Sequence, residues 1–127
     1  MGNFLASKKS SHQHLVVDDS KLNRTVLKDY LINAGISTDI AYNGKIALNM
    51  SEKYHYDVIW MDLKMPVMDG EECSKKLRES GYGGKIIMVS GANDERVFRL
   101  QSEKIINDLI LKPFSYNQVK FFAIKHK

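Results

Sequence analysis

Three carboxylates, one ammonium and one hydroxyl stand where apolar runs of this chain stop abruptly. Leu15-Val16-Val17 meets Asp18-Asp19, Trp60-Met61 meets Asp62, Met88-Val89 meets Ser90, and Leu109-Ile110-Leu111 meets Lys112-Pro113. If each run is a strand, the strand ends can deliver Asp18, Asp19, Asp62, Ser90 and Lys112 to one point. Clustered carboxylates offer the hard oxygen ligands that Mg²⁺ takes while it keeps several waters. A lysine beside them adds a second cation, so the set suits phosphoryl transfer, which depends mainly on positioning and charge neutralisation. Alone, an Asp-Asp pair reads first as a solvated turn or a helix cap. Asp62 and Lys112 in register with it change that reading.

The elements that must position these residues alternate along the chain. Residues 14–17 read as a buried strand. Ser20 then caps a helix whose apolar face is Leu22, Val26, Leu27, Tyr30 and Leu31, ending at Ala34-Gly35. Residues 37–41 are shorter and more polar, as suits an edge strand. Asn43-Gly44 opens a second helix through Ala47, Leu48 and Met50, and residues 56–61 form the third strand. After Pro66 and the turn signal Asp69-Gly70, a helix covers residues 71–80, closed by Gly81 and Gly83-Gly84. A strand at 85–89, a helix at 94–103, a strand at 109–111 and a helix from Ser115 follow. Ser115 and Gln118 have capping-box spacing, and Val119, Phe122 and Ala123 make that helix's inward stripe. Five successive βα units imply an α/β fold with a parallel sheet and helices on both faces. Ligands of such sheets sit beyond the strand carboxyl ends, where strand order reverses.

Length and composition bound the rest. The 127 residues are the size of one ordinary domain, and 43% hydrophobic content supports one core. Residues 1–12, with three serines, two lysines and no apolar periodicity, read as a flexible leader, with the domain at 13–127. The single cysteine, Cys73, cannot pair within the chain, which fits a reducing, cytoplasmic setting. No apolar run approaches a bilayer span or a signal-peptide core. The net charge of +4 comes largely from Lys8, Lys9, Lys120, Lys125 and Lys127, which read as solvated tails and helix faces. No basic stripe with interleaved aromatics is present, so direct nucleic-acid binding is not expected. Gly2 with Lys8 and Lys9 approximates a myristoylation site, although Ala6 sits where Ser or Thr is preferred; membrane attachment is expected only if Gly2 is acylated.

The four motifs together resemble the receiver domain of two-component response regulators across about residues 14–125. They are Asp18-Asp19, Met61-Asp62-Leu63-Lys64-Met65-Pro66-Val67-Met68-Asp69-Gly70, Ser90-Gly91 and Lys112-Pro113-Phe114. The resemblance implies the flavodoxin-like (βα)5 receiver fold, a five-stranded parallel sheet of order 2-1-3-4-5. It also implies Mg²⁺ as the cofactor, bound directly by Asp19 and Asp62, through water by Asp18 and through the Lys64 carbonyl. Asp62 would be the phosphoacceptor, Lys112 the second cation, Ser90 a hydroxyl donor to the phosphoryl group, and Lys112-Pro113 a cis peptide. By the same resemblance, Lys64 and Ala92 occupy family positions that tune loss of the phosphoryl group. Leu109 stands where many members carry an aromatic residue, and Ile105-Ile106-Asn107 replaces a common glycine, with Asn107 able to supply a left-handed cap.

The expected function is that of a phosphoacceptor in a phosphorelay: a self-phosphorylating switch with autophosphatase activity rather than an enzyme acting on free substrates. Its donor would be a histidine kinase or a histidine phosphotransfer protein. Asn23-Arg24, after Asp19-Ser20, is similar to receivers of hybrid histidine kinases, and suggests docking beside the first helix. The chain could be a stand-alone module or an excised receiver. The alternatives are an Asp-nucleophile Mg²⁺ phosphatase of the haloacid-dehalogenase type, a flavodoxin-like phosphate binder and a degenerate receiver acting as a scaffold. The phosphatase expects a D-x-D run after its first strand, whereas the acids here are adjacent. A flavin phosphate would need amides and hydroxyls where Asp18-Asp19 stands.

Overall fold

The computed structural model describes residues 9–91 and 94–126. The elements in chain order are β1 (Ser10–Val17), α1 (Lys21–Asn33), β2 (Thr38–Ala41), α2 (Gly44–Lys53), β3 (Tyr54–Asp62), α3 (Gly70–Glu79), β4 (Lys85–Ser90), α4 (Glu95–Ser102), β5 (Asp108–Leu111) and α5 (Tyr116–Lys125). All strand pairs are parallel, in the order β2-β1-β3-β4-β5. The sheet and its order are those the receiver resemblance implies.

Side chains two apart along the central strands share a face. Leu15, Val17, Ile59, Met61, Ile86 and Met88 pack with Ala47 of α2, Cys73 and Leu77 of α3, and Val97 and Leu100 of α4. The alternate set, Val16, Val58, Trp60, Ile87 and Val89, packs with Leu27 and Leu31 of α1 and Val119 and Ala123 of α5. Both faces are thus covered, which is why these strands are continuous apolar runs. Each fully buried aliphatic side chain contributes roughly 1.5–3 kcal/mol.

Each helix starts at a side-chain cap that follows the carboxyl end of a strand. Ser20, Asn43, Asp69, Asp94 and Ser115 accept from the backbone N–H groups of Asn23, Ile46, Glu72, Arg96 and Gln118. The Ser115–Gln118 capping box is complete. Such caps contribute about 1 kcal/mol each and set all five helix N-termini along the rim where the acidic residues emerge.

Three expectations need correction. β1 begins at Ser10 rather than residue 14, so residues 10–12 belong to the sheet and not to a leader: Ser10, Ser11 and His12 register with Tyr54, His55 and Tyr56. The polar composition of this extension hides it, because His12 is held by Asp39 (Nδ1 to Oδ2, 2.7 Å) and by stacking on Tyr54. Leu22 does not join the inward stripe of α1; it is 71% exposed in the first turn. The left-handed residue after α4 is Lys104 (φ 63°), not Asn107, whose side chain instead accepts the Ile86 N–H at 2.8 Å. Gly2 and Ala92 lie outside the described residues.

Candidate functional site

Strand register builds the site. Val17 pairs with Met61, so the next residues, Asp18 and Asp62, emerge side by side from β1 and β3, the two strands between which the chain order reverses. Ser90 ends β4 and registers with Leu111, which sets Lys112 one residue beyond it; the Lys112 N–H donates to the Ser90 carbonyl at 2.8 Å. The Lys112–Pro113 peptide is cis. The turn after β3 is held by the Leu63 N–H to the Val89 carbonyl (3.0 Å) and the Gly70 N–H to the Leu63 carbonyl (2.7 Å).

Asp62 and Asp18 are each 4% exposed, while Asp19 faces solvent. One carboxylate oxygen from each of the three can be chosen such that all lie within 4.8 Å of one another. The Lys112 ammonium donates to Asp62 Oδ1 at 3.0 Å and lies 3.7 Å from Asp18 Oδ2. Burial pushes the Asp62 carboxyl up to about 6; the Lys112 hydrogen bond opposes the rise, and the Asp18 and Asp19 charges add to it. Burial disfavours the Lys112 ammonium, but its hydrogen bond to Asp62 and the charges of the three aspartates hold its pKa above the ordinary value. Three close carboxylates against one ammonium leave excess negative charge, and the donors are all hard oxygens, so the set fits a divalent cation of the Mg²⁺ type. Ser90 is buried beside this group, and Lys64 is exposed two residues past Asp62.

Every expected site residue among the described ones therefore lies on one rim. Sequence reasoning missed the arginines that brace it. Arg24 Nη1 donates to the Asp18 carbonyl at 2.9 Å. Arg96 of α4 joins Asp94, Asp69 and Glu71, tying the loop after β3 to the start of α4. The close approach at Gly70 was also hidden behind its turn signal: a Cβ there would clash with the Asp62 carbonyl oxygen. The Asn23-Arg24 pair was the available signal for the first brace, and the D-G step for the last; nothing local marks Arg96.

The chain belongs to the response regulator receiver domain family, whose model matches residues 15–121. It is similar to two-component response regulator 24 of Arabidopsis thaliana, 38% identical over 114 residues that cover 89% of this chain and 81% of the plant protein. It is 33% identical to hybrid signal transduction histidine kinase K of Dictyostelium discoideum over 89% of this chain, which spans only 10% of that protein. Among solved structures, the receiver domain of sensor histidine kinase PA1611 from Pseudomonas aeruginosa PAO1 superposes with a TM-score of 0.78 at 27% identity, covering 91% of this chain and 97% of that one. That receiver holds a magnesium ion in its active-site cleft. No helix among the described residues is long and apolar enough to cross a membrane.

Proposed function

We propose that this receiver takes a phosphoryl group from a phosphohistidine onto Asp62 and relays the change through protein contacts. The observation that carries the reading is the Asp62 carboxylate, nearly buried and held at 3.0 Å by Lys112 among three clustered aspartates. A carboxylate oxygen of Asp62 forms the new O–P bond as the P–N bond to the donor imidazole breaks, and the electron pair stays on the imidazole nitrogen. Asp19 and Asp62 would hold Mg²⁺ directly, Asp18 through water and Lys64 through its carbonyl; the bound ion neutralises charge on the phosphoryl oxygens. Lys112 supports the same charge from the other side, and Ser90 would donate its hydroxyl to a phosphoryl oxygen. Water later hydrolyses the acyl phosphate, with the Lys64 and Ala92 positions tuning the rate.

The donor would be a histidine kinase or a histidine phosphotransfer protein in the cytosol. A shallow, mostly apolar recess lined by Leu22, Asn23, Val26, Lys112, Pro113 and Phe114 adjoins Lys112 and offers the docking face. The exposure of Leu22, unhelpful to the core, suits that role. Intact-protein mass after incubation with Mg²⁺ and a small phosphodonor tests the chemistry. Wild type should gain one phosphoryl group only when Mg²⁺ is present, and Asp62→Asn should gain none. Unmodified wild type, with Mg²⁺ binding shown separately, would favour a scaffold or a receiver charged only by its partner.

A further inference from the structure

We infer that Arg24 is a positioning residue for the cation site, acting on the Asp18–Asp19 peptide rather than on the ion; this rests on the reading of the acidic rim as a Mg²⁺ site. The side chain of Asp18 is pinned at both oxygens. Oδ1 accepts the Ser20 N–H at 2.8 Å and Oδ2 lies 3.7 Å from the Lys112 ammonium. Its backbone N–H donates to the Ala41 carbonyl at 3.2 Å. The remaining polar atom of Asp18 is its carbonyl oxygen, and that oxygen accepts from Arg24 Nη1. The carbonyl belongs to the peptide that leads into Asp19, so its orientation sets where the Asp19 side chain points.

Asp19 needs this help. It is exposed, and among the described residues its side chain has no hydrogen bond of its own. The Asp18–Asp19 peptide precedes the Ser20 cap, so the helix ladder does not hold its carbonyl. Arg24 reaches it because it follows Ser20 by one helical turn, and helical side chains lean toward the N-terminus. Its place is otherwise unfavourable, since a cation near a helix N-terminus opposes the macrodipole. The first turn of α1 has no acidic residue to compensate it. The contact with the Asp18 carbonyl offsets that modest penalty.

The sign of the effect separates positioning from simple charge. By Coulomb's law alone, removing a guanidinium near a cation site should tighten Mg²⁺ binding. If Arg24 orients Asp19, removing it should weaken binding, on the order of tenfold as for other residues that orient metal ligands. The experiment is calorimetric titration with Mg²⁺ of wild type, Arg24→Ala, Arg24→Gln, Arg24→Lys and Asp19→Asn, with thermal melts of each. We expect weaker binding in Arg24→Ala and Arg24→Gln, partial recovery in Arg24→Lys, and no further loss when Arg24→Ala is added to Asp19→Asn. Equal or tighter binding in a folded Arg24→Ala or Arg24→Gln protein overturns the inference while leaving the Mg²⁺ site intact. A wild type that does not bind Mg²⁺ overturns the cation-site reading and this inference with it.

Discussion

At the scale of single residues, Asp62 carries a cost that its function explains. Its carboxyl is raised from 3.8 to about 6, chiefly by burial. The folded state therefore binds the proton more tightly than the unfolded chain. The contribution to stability is complete below the unfolded value and is lost as pH rises through about 6. Two pH units correspond to roughly 3 kcal/mol as an upper bound. Asp62→Asn should accordingly stabilise the Mg²⁺-free protein by about 1–2 kcal/mol at pH 7.5 and have little effect near pH 4. Urea unfolding at the two pH values measures it, and a loss of stability at pH 7.5 would contradict the burial argument. Gly70 shows a different constraint. The motif supplies the glycine, but its reason is the Asp62 carbonyl oxygen, which occupies the space a Cβ would need. The Asp69-Gly70 step marks the glycine, while the approach that requires it is made by the end of β3 in space.

At the scale of elements, two polar links join segments distant in sequence. Trp60 Nε1 of β3 donates to His14 Nδ1 of β1 at 3.0 Å, and burial with the nearby His126 charge lowers the imidazole to about 4. The unfolded chain, with an ordinary value of 6.5, takes the proton first. The stability that depends on neutral His14 is present above 6.5 and lost as pH falls through about 4. Replacing His14 by Gln keeps an acceptor for Trp60 and removes the titration. The stability difference between wild type and His14→Gln should shift by about 2 kcal/mol toward the variant between pH 7.5 and 4.5. Chemical denaturation of both proteins across that range would show it; a constant difference would exclude His14 as the titrating group.

The second link is Arg78 of α3. It donates to the carbonyls of Ile105, Tyr82 and Gly84 and to Asn107 Oδ1, at 2.8–3.0 Å. Its guanidinium, in effect, binds together the end of α3, the entry to β4 and the turn before β5. This explains why the segment after α4 needs no glycine. Lys104 takes the left-handed position, and the next turn is held by Asn107 and Arg78 instead. Element types and the caps at Ser20 and Ser115 were legible because their signals lie within three or four residues. The early start of β1 and the role of Asn107 were not, because their partners come from β3, β4 and α3.

At the scale of the whole molecule, folding gathers negative charge at one rim, and a cation should stabilise the domain by relieving it. Mg²⁺ at one hundred times its dissociation constant should add about 2.7 kcal/mol if it binds only the folded state. The gain should shrink below about pH 6, where protons compete at Asp62. It should be much smaller in Asp62→Asn. Thermal melts with and without Mg²⁺ at pH 7.5 and 5 measure this, and an equal gain at both would place the ion elsewhere. The sequence alone determined the alternation of elements, the caps at Ser20 and Ser115, and the residues Asp18, Asp19, Asp62, Ser90 and Lys112 at strand ends. Period and capping are local, and a strand's last residue is visible where its apolar run stops. Only the tertiary structure decided how deeply Asp62 is buried, which peptide Arg24 holds, and how Arg78 and Arg96 tie neighbouring loops. Burial belongs to the assembled sheet, and a long guanidinium side chain finds its partners by distance in space rather than by spacing along the chain.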